Sequence, residues 1–119
     1  MATLTRATGM AAEEQAAQLL RQAGFEILTR NYRCRMGELD IVARRRGLLV
    51  IAEVRQRSRR DFGGAADSIT AAKRRRLQLA ARHLLARHPQ LSRLALRFDA
   101  VLLGAPGAPI EWIEDAFRA

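Results

Sequence analysis

Residues Gly37 to Arg55 read GELDIVARRRGLLVIAEVR, and the way this stretch folds back on itself decides how the rest of the chain is arranged. Two runs, Glu38–Ala43 and Leu48–Arg55, mix β-branched and aliphatic residues with spaced charge, as half-buried strands do. Between them stand three arginines and Gly47, a turn signal. A tight hairpin centred on Arg46-Gly47 sets opposite each other residues whose numbers share one sum, so Asp40 faces Glu53 and Glu38 faces Arg55. Side chains alternate along a strand, so all four point the same way. The other face carries Leu39, Ile41, Val50, Ala52 and Val54, an apolar layer.

Two carboxylates directly across a ladder repel. The conflict is relieved by a raised pKa on one of them, by a cation between them, or by escape into water. A divalent metal is the cation that suits hard oxygen ligands. The competing reading is a solvated charged face, with Glu38–Arg55 as an exposed ion pair worth little. A register slip of one residue would move the whole set to the other face.

Outside this hairpin the bulk numbers narrow the field. At 119 residues the chain suits one domain, 1–119, with a real core. No stretch is long and apolar enough to cross a membrane, and MATLTRATGM lacks the apolar segment of a signal peptide. The single cysteine, Cys34, excludes an internal disulfide and a cysteine-based zinc site, which fits the cytoplasm. Net charge is +9, carried by twenty arginines and one lysine. Genome composition explains arginine over lysine, but not basic over acidic. The triplets Arg44–Arg46 and Arg74–Arg76, with Arg55, Arg57, Arg59 and Arg60, favour a polyanion, most simply nucleic acid. No basic segment carries the bulky apolar face that would enter a lipid surface.

Upstream, about Thr8 to Ala23 has helical spacing, with Gly24 as a stop. Glu13 shares its side with Ala16, Ala17 and Leu20, whereas Glu14 shares its side with Gln18 and Arg21. Phe25–Asn31 is a first strand leading into the hairpin, and the short connections predict an antiparallel meander. Downstream, QRSRRDFGG is a polar connector, or a loop at the mouth of a site that follows a phosphate backbone. A second helix starts between Asp67 and Thr70 and ends near His88-Pro89, and Lys73 lies on its core-facing stripe. A lysine there is equally consistent with a snorkelling side chain. His83 and His88 are badly spaced for a shared metal and read as structural or solvent-facing. Leu94–Leu103 returns as a strand parallel to Leu48–Arg55, Ile110–Ile113 is a short edge strand with Trp112, and EDAFRA is a helical turn or a frayed tail. No glycine-rich nucleotide loop is present.

The segments Gly9-x3-Glu13-x2-Ala16, Gly37-Glu38-Leu39-Asp40-Ile41, Ala52-Glu53-Val54-Arg55, Lys73 within ITAAKRRRL, and Arg97-Phe98-Asp99 cover nearly the whole chain. In these the chain resembles the YraN family of small bacterial proteins, which is similar to the restriction-endonuclease-like PD-(D/E)xK nucleases, Holliday-junction resolvases among them. The resemblance implies an α/β fold: a central mixed sheet with an antiparallel meander and one parallel crossover strand, flanked by helices. It implies a divalent-metal-dependent endonuclease acting on DNA, on branched or repair intermediates. Asp40 and Glu53 would hold magnesium or manganese, with Glu13 reaching the metal directly or through water. Arg55 stands where those nucleases have lysine, a departure that weakens the catalytic reading. Arg44, Arg45, Arg46, Arg57, Arg59, Arg60, Lys73 and Arg74 would contact nucleic acid, and a homodimer is left open. The alternatives are a non-catalytic nucleic-acid-binding module and a protein-interaction domain that keep the fold.

Overall fold

The computed structural model describes residues 2–56, 69–104 and 107–118, with side chains from residue 11 onward. In order, the elements are α1 (Ala2–Gln22), β1 (Glu26–Cys34), β2 (Gly37–Arg45), β3 (Leu48–Gln56), α2 (Ala71–Arg87), a short 3-10 turn (Pro89–Arg93), β4 (Ala95–Leu103) and β5 (Glu111–Phe117). The five strands form one sheet in sequence order, antiparallel except for the β3–β4 pair. This is the mixed α/β arrangement expected of the chain, and it is consistent with a nuclease-like fold. No helix of the described residues is long and apolar enough to cross a membrane.

The hairpin turns where its sequence says it should. Arg46 and Gly47 both take positive φ, 37° and 76°, as a two-residue turn matched to strand twist requires. The register follows: Arg45 pairs with Leu48 and Ile41 with Ala52. Helix α1 begins earlier than its periodicity suggested, at Ala2, and ends at Gly24, whose φ of 92° lets the Phe25 N–H reach back to Leu20 O at 3.0 Å. Helix α2 is capped by Thr70, whose hydroxyl accepts from the Lys73 N–H at 3.1 Å.

Each helix covers one face of the sheet. Ala12, Ala16, Ala17 and Leu20 of α1 pack with Phe25, Ile41, Ala43, Val50, Ala52 and Val101. Leu77, Ala80, Ala81 and Leu84 of α2 pack with Leu39, Val42, Leu49, Ile51, Phe98 and Phe117. Leu39 is therefore not in the apolar layer of Ile41 and Val50, contrary to strict alternation. The cause lies at the pair between Arg30↔Ile41 and Tyr32↔Leu39, where Asn31 adopts a left-handed φ of 54° opposite Asp40. That kink rotates the end of the β1–β2 ribbon, so Leu39 and Tyr32 meet α2, with Tyr32 Oη 2.6 Å from His83 Nδ1.

The tail is a second correction. Within EDAFRA, Glu114 to Phe117 are strand and not a helical turn: β5 runs to Phe117, which stacks on Phe98 at 4.7 Å between ring centroids. Asp115, at φ 54°, makes the bend, and its N–H donates to the fully buried Asp99 at 2.9 Å. The same carboxylate accepts two bonds from Arg97 (2.8 and 2.9 Å) and one from Trp112 Nε1 (2.9 Å). Asp99 thus accepts four hydrogen bonds in the interior, which offset the cost of burying its charge. It ties β5 to β4.

Candidate metal centre

The site forms where the sheet divides. The β2–β3 ladder stops at Ile41↔Ala52. Beyond that point β3 continues beside β4 as far as Gln56↔Leu103, while β2 stays paired with β1 as far as Gly37. At the fork the Val54 N–H donates to a side chain, Asp40 Oδ2, at 2.9 Å. A carboxylate thus takes the place of a backbone partner at the point where the strands part.

Asp40 and Glu53 stand side by side there, as the hairpin register required. Glu53 is buried, 4% exposed, and its counter-ion is Lys73 Nζ at 2.6 Å from Oε1. Burial pushes the Asp40 carboxyl up to about 7, and the neighbouring Glu53 adds to the shift, through charge and through a hydrogen bond that favours protonated Asp40. The Val54 N–H and the Lys73 ammonium pull the other way without cancelling it. A cleft of about 160 Å³ opens over the pair, lined by Gly37, Glu38, Asp40, Glu53, Lys73 and Arg76.

Glu13 approaches from α1. Burial raises its carboxyl above the ordinary range, the Asn31 side chain opposes this by hydrogen bonding, and Asp40 and Glu38 raise it further. The kink at Asn31 is what lets a carboxylate on one face of the sheet act on Asp40, whose partners Glu53 and Lys73 belong to the other. Glu13 remains a neighbour of the pair. Among the described residues no three His, Cys, Asp or Glu side chains come close enough together to hold an ion.

The donor set nevertheless suits a hard divalent cation. Two oxygen ligands are pressed together at a cost in proton affinity, and magnesium needs only one or two carboxylates besides water. Manganese accepts the same donors.

The remaining expected residues fall in four groups. Arg55 lies two residues past Glu53 on β3, half-buried, but among the described residues it has no ion pair and does not line the cleft. The expected Glu38–Arg55 pair is absent: the residue beside Glu38 is its ladder partner Arg33, at a loose 3.6 Å. The kink at Asn31 turns Glu38 towards β1. Arg44–Arg46 sit at the turn, four to six residues or about 13–20 Å along the strand from Asp40. There Arg44 pairs with Glu26 (3.1 Å), while Arg45 donates to Ala23 O (2.6 Å) and covers the Phe25 ring at 4.4 Å. Arg74 turns inward, donating to Ile69 O (3.0 Å) and lying over Phe117. Arg57, Arg59, Arg60 and Gly63-Gly64 lie outside the described residues. Arg76, expected only as part of the basic triplet, lines the cleft beside Lys73, and their i,i+3 spacing places both on one side of α2.

Comparison with known proteins places the chain in a family. Residues 12–103, which include Glu13, Asp40, Glu53 and Lys73, match the model of the uncharacterised protein family UPF0102. A UPF0102 protein of Dechloromonas aromatica is 50% identical over 115 residues, covering 97% of this chain and 92% of its own. One from Methylobacillus flagellatus is 50% identical over 109 residues, with 91% and 94% covered. One from Cupriavidus taiwanensis is 52% identical over 116 residues, with 96% and 85% covered. With matches of this extent, the chain belongs to UPF0102, the YraN family.

Proposed function

We propose that the protein is a divalent-metal-dependent endonuclease that hydrolyses DNA phosphodiester bonds. The observation that carries this reading is the Asp40–Glu53 pair at the fork of the sheet, with one lysine cation beside it. A structural ion pair needs one acid. The second acid, besides accepting the Val54 N–H, is pressed against Glu53 with its carboxyl pushed up to about 7, and a cation joining the pair would relieve that conflict.

Asp40 and Glu53 would hold the metal, which when bound polarises the scissile phosphate and lowers the pKa of water. The Val54 N–H bond to Oδ2 fixes the orientation of Asp40, which lines the cleft. Lys73 lies a third exposed at the cleft edge, so its ammonium can swing from Glu53 to a phosphate oxygen and stabilise charge developing there. Arg76 stands beside it as a second phosphate contact. Glu13, across from Asp40, suits a hydrogen bond to metal-coordinated solvent. Arg55 remains a secondary cation, and being permanently protonated it takes no proton in the reaction.

A second reading has an observation of its own. Lys73 already neutralises Glu53 at 2.6 Å, so the site is electrostatically complete without metal, as in a binding module descended from a nuclease. One experiment separates the two. Labelled duplex, single-stranded and four-way-junction DNA are incubated with magnesium or manganese, and manganese binding is followed by calorimetry. The nuclease reading expects cleavage and metal binding by the parent, and loss of both in Asp40→Ala and Glu53→Ala. Metal binding that is unchanged in both variants, or a parent that cuts none of the substrates, would overturn it.

A further inference from the structure

Helix α2 carries six cations, Lys73, Arg74, Arg75, Arg76, Arg82 and Arg87, and no acid along its whole length. Four of them are consecutive in its first turns, where the positive end of the helix dipole disfavours cations and where no acidic residue stands. Two are compensated within the fold: Lys73 by Glu53, and Arg74 by the Ile69 carbonyl and the Phe117 ring. Arg75, Arg76, Arg82 and Arg87 are exposed and have no ion pair among the described residues. Such a helix in isolation opposes its own charge. A solvated face would carry interspersed acids at i,i+4, and this one has none.

Their placement is ordered. With Leu77, Ala80, Ala81 and Leu84 buried against the sheet, Arg75 and Arg82 point straight outward, seven residues apart. Arg76 and Arg87 share the flank turned towards the β1–β2 hairpin, the side on which Arg76 lines the cleft. From Arg75 to Arg87 the helix rises about 18 Å. One strand of duplex DNA places a phosphate every ~3.4 Å along the axis, so this length spans about five phosphates.

We propose that the exposed side of α2, from Arg76 at the cleft and its neighbour Arg75 to Arg82 and Arg87, is a docking rail for the phosphate backbone of duplex DNA. It deepens the nuclease reading by giving the substrate a path, and it rests on the nucleic-acid part of that reading. The rail is rigid, and its length matches a short stretch of one winding strand of a rigid duplex. Its exposed residues besides arginine are Ala71, Ala72 and Ala86, so it offers no aromatic ring on which unpaired bases could stack. Nor does it offer a bulky apolar face to enter a lipid surface. The hairpin triplet Arg44–Arg46 lies at the far end of the sheet with two of its guanidinium groups engaged, and plays no part in this path.

The test is the salt dependence of binding, read by fluorescence anisotropy with EDTA present and no metal. Because cleavage plays no part in it, its failure leaves the cleavage assay standing, and a failed cleavage assay leaves it standing in turn. The probes are a labelled duplex, an oligothymidine and anionic phospholipid vesicles. Each phosphate contact contributes about 0.9 to the slope of log affinity against log salt on duplex. Arg82→Gln/Arg87→Gln, two exposed residues far from the cleft, should lower that slope by roughly 1.8, and Arg44→Gln/Arg46→Gln should leave it within about 0.3 of the parent. Thermal melts of each variant confirm that it is folded. An unchanged duplex slope in Arg82→Gln/Arg87→Gln would overturn the proposal. So would a loss confined to oligothymidine or to vesicles, or an equal loss in the Arg44/Arg46 variant.

Discussion

Lys73 Nζ stands 2.6 Å from Glu53 Oε1, so the chain's single lysine, on a helix, is the counter-ion of a carboxylate buried on a strand. The pair joins α2 to β3 at the fork of the sheet. Removing one partner of a buried pair leaves the other charged and undersolvated. Lys73→Met should therefore lower unfolding stability by about 2 kcal/mol, below the cost of a fully buried pair because the lysine is partly in water. Urea denaturation measures it. A loss under about 0.5 kcal/mol would mean that water already solvates Glu53.

The Asp40 carboxyl makes stability depend on pH in a defined direction. In the unfolded chain it titrates near ~3.9, whereas in the fold burial and Glu53 push it up to about 7. Between those values the native state keeps a proton that the unfolded state has released. Its contribution to stability is full below about 4, falls as pH rises, and is exhausted above about 7. Asp40→Asn removes the titrating group. Parent stability minus variant stability, from urea melts between about pH 4 and 8, should slope downward by up to a few kcal/mol. A flat or rising difference would show that Asp40 is ionised throughout.

If the cleft cuts DNA, its cations are unequal. Lys73 lies against Glu53, whereas among the described residues Arg55 has no ion pair and does not line the cleft. Lys73→Ala should slow single-turnover cleavage about 10²-fold or more, as loss of one preorganised charge stabiliser does, and Arg55→Ala roughly tenfold or less. Arg55→Lys should stay close to the parent, because the charge survives. Rates with manganese settle the order, and the reverse order would return the catalytic cation to the strand.

The Asp99 cluster should matter for folding and not for chemistry. Asp99→Asn keeps the shape but removes the charge that Arg97 needs, and it turns one of the two acceptors, Oδ1 facing the Asp115 N–H or Oδ2 facing Trp112 Nε1, into a donor. The expected cost is about 3 kcal/mol, as for a broken buried charge pair. Manganese affinity of the folded fraction, by calorimetry below the melting transition, should stay within about twofold of the parent. A tenfold change would connect the β4–β5 cluster to the metal centre.

Much of this could be read along the chain, because it follows from local geometry. The arginines running into Gly47 set a two-residue turn, and that turn dictates which residues face each other, so the Asp40–Glu53 juxtaposition was available from spacing alone. The Thr70 cap, the end of α1 at Gly24 and the parallel return of β4 are equally local, each resting on one residue's sterics or on the length of a crossover. The placement of Glu14 beside Gln18 and Arg21 followed from helical period, although its strongest partner, Arg30 at 2.6 Å, did not.

What spacing could not supply depends on how elements meet. Alternation put Leu39 with Ile41, but a left-handed Asn31 on the neighbouring strand rotates the ribbon there and sends Leu39 to the other face. Alternation also aimed Arg55 at the site. Yet the cation that reaches Glu53 comes from α2, and its arrival depends on the angle at which that helix lies on the sheet. EDAFRA has no clear period of its own. It becomes a strand because Phe98 offers a ring to stack on and Asp99 an acceptor for a bent backbone, and both are contacts between residues far apart in the chain. Steric preference and side-chain period act between neighbours and are written in order along the sequence. The charge balance of a buried site is a sum over space, and it exists only once the helices have docked.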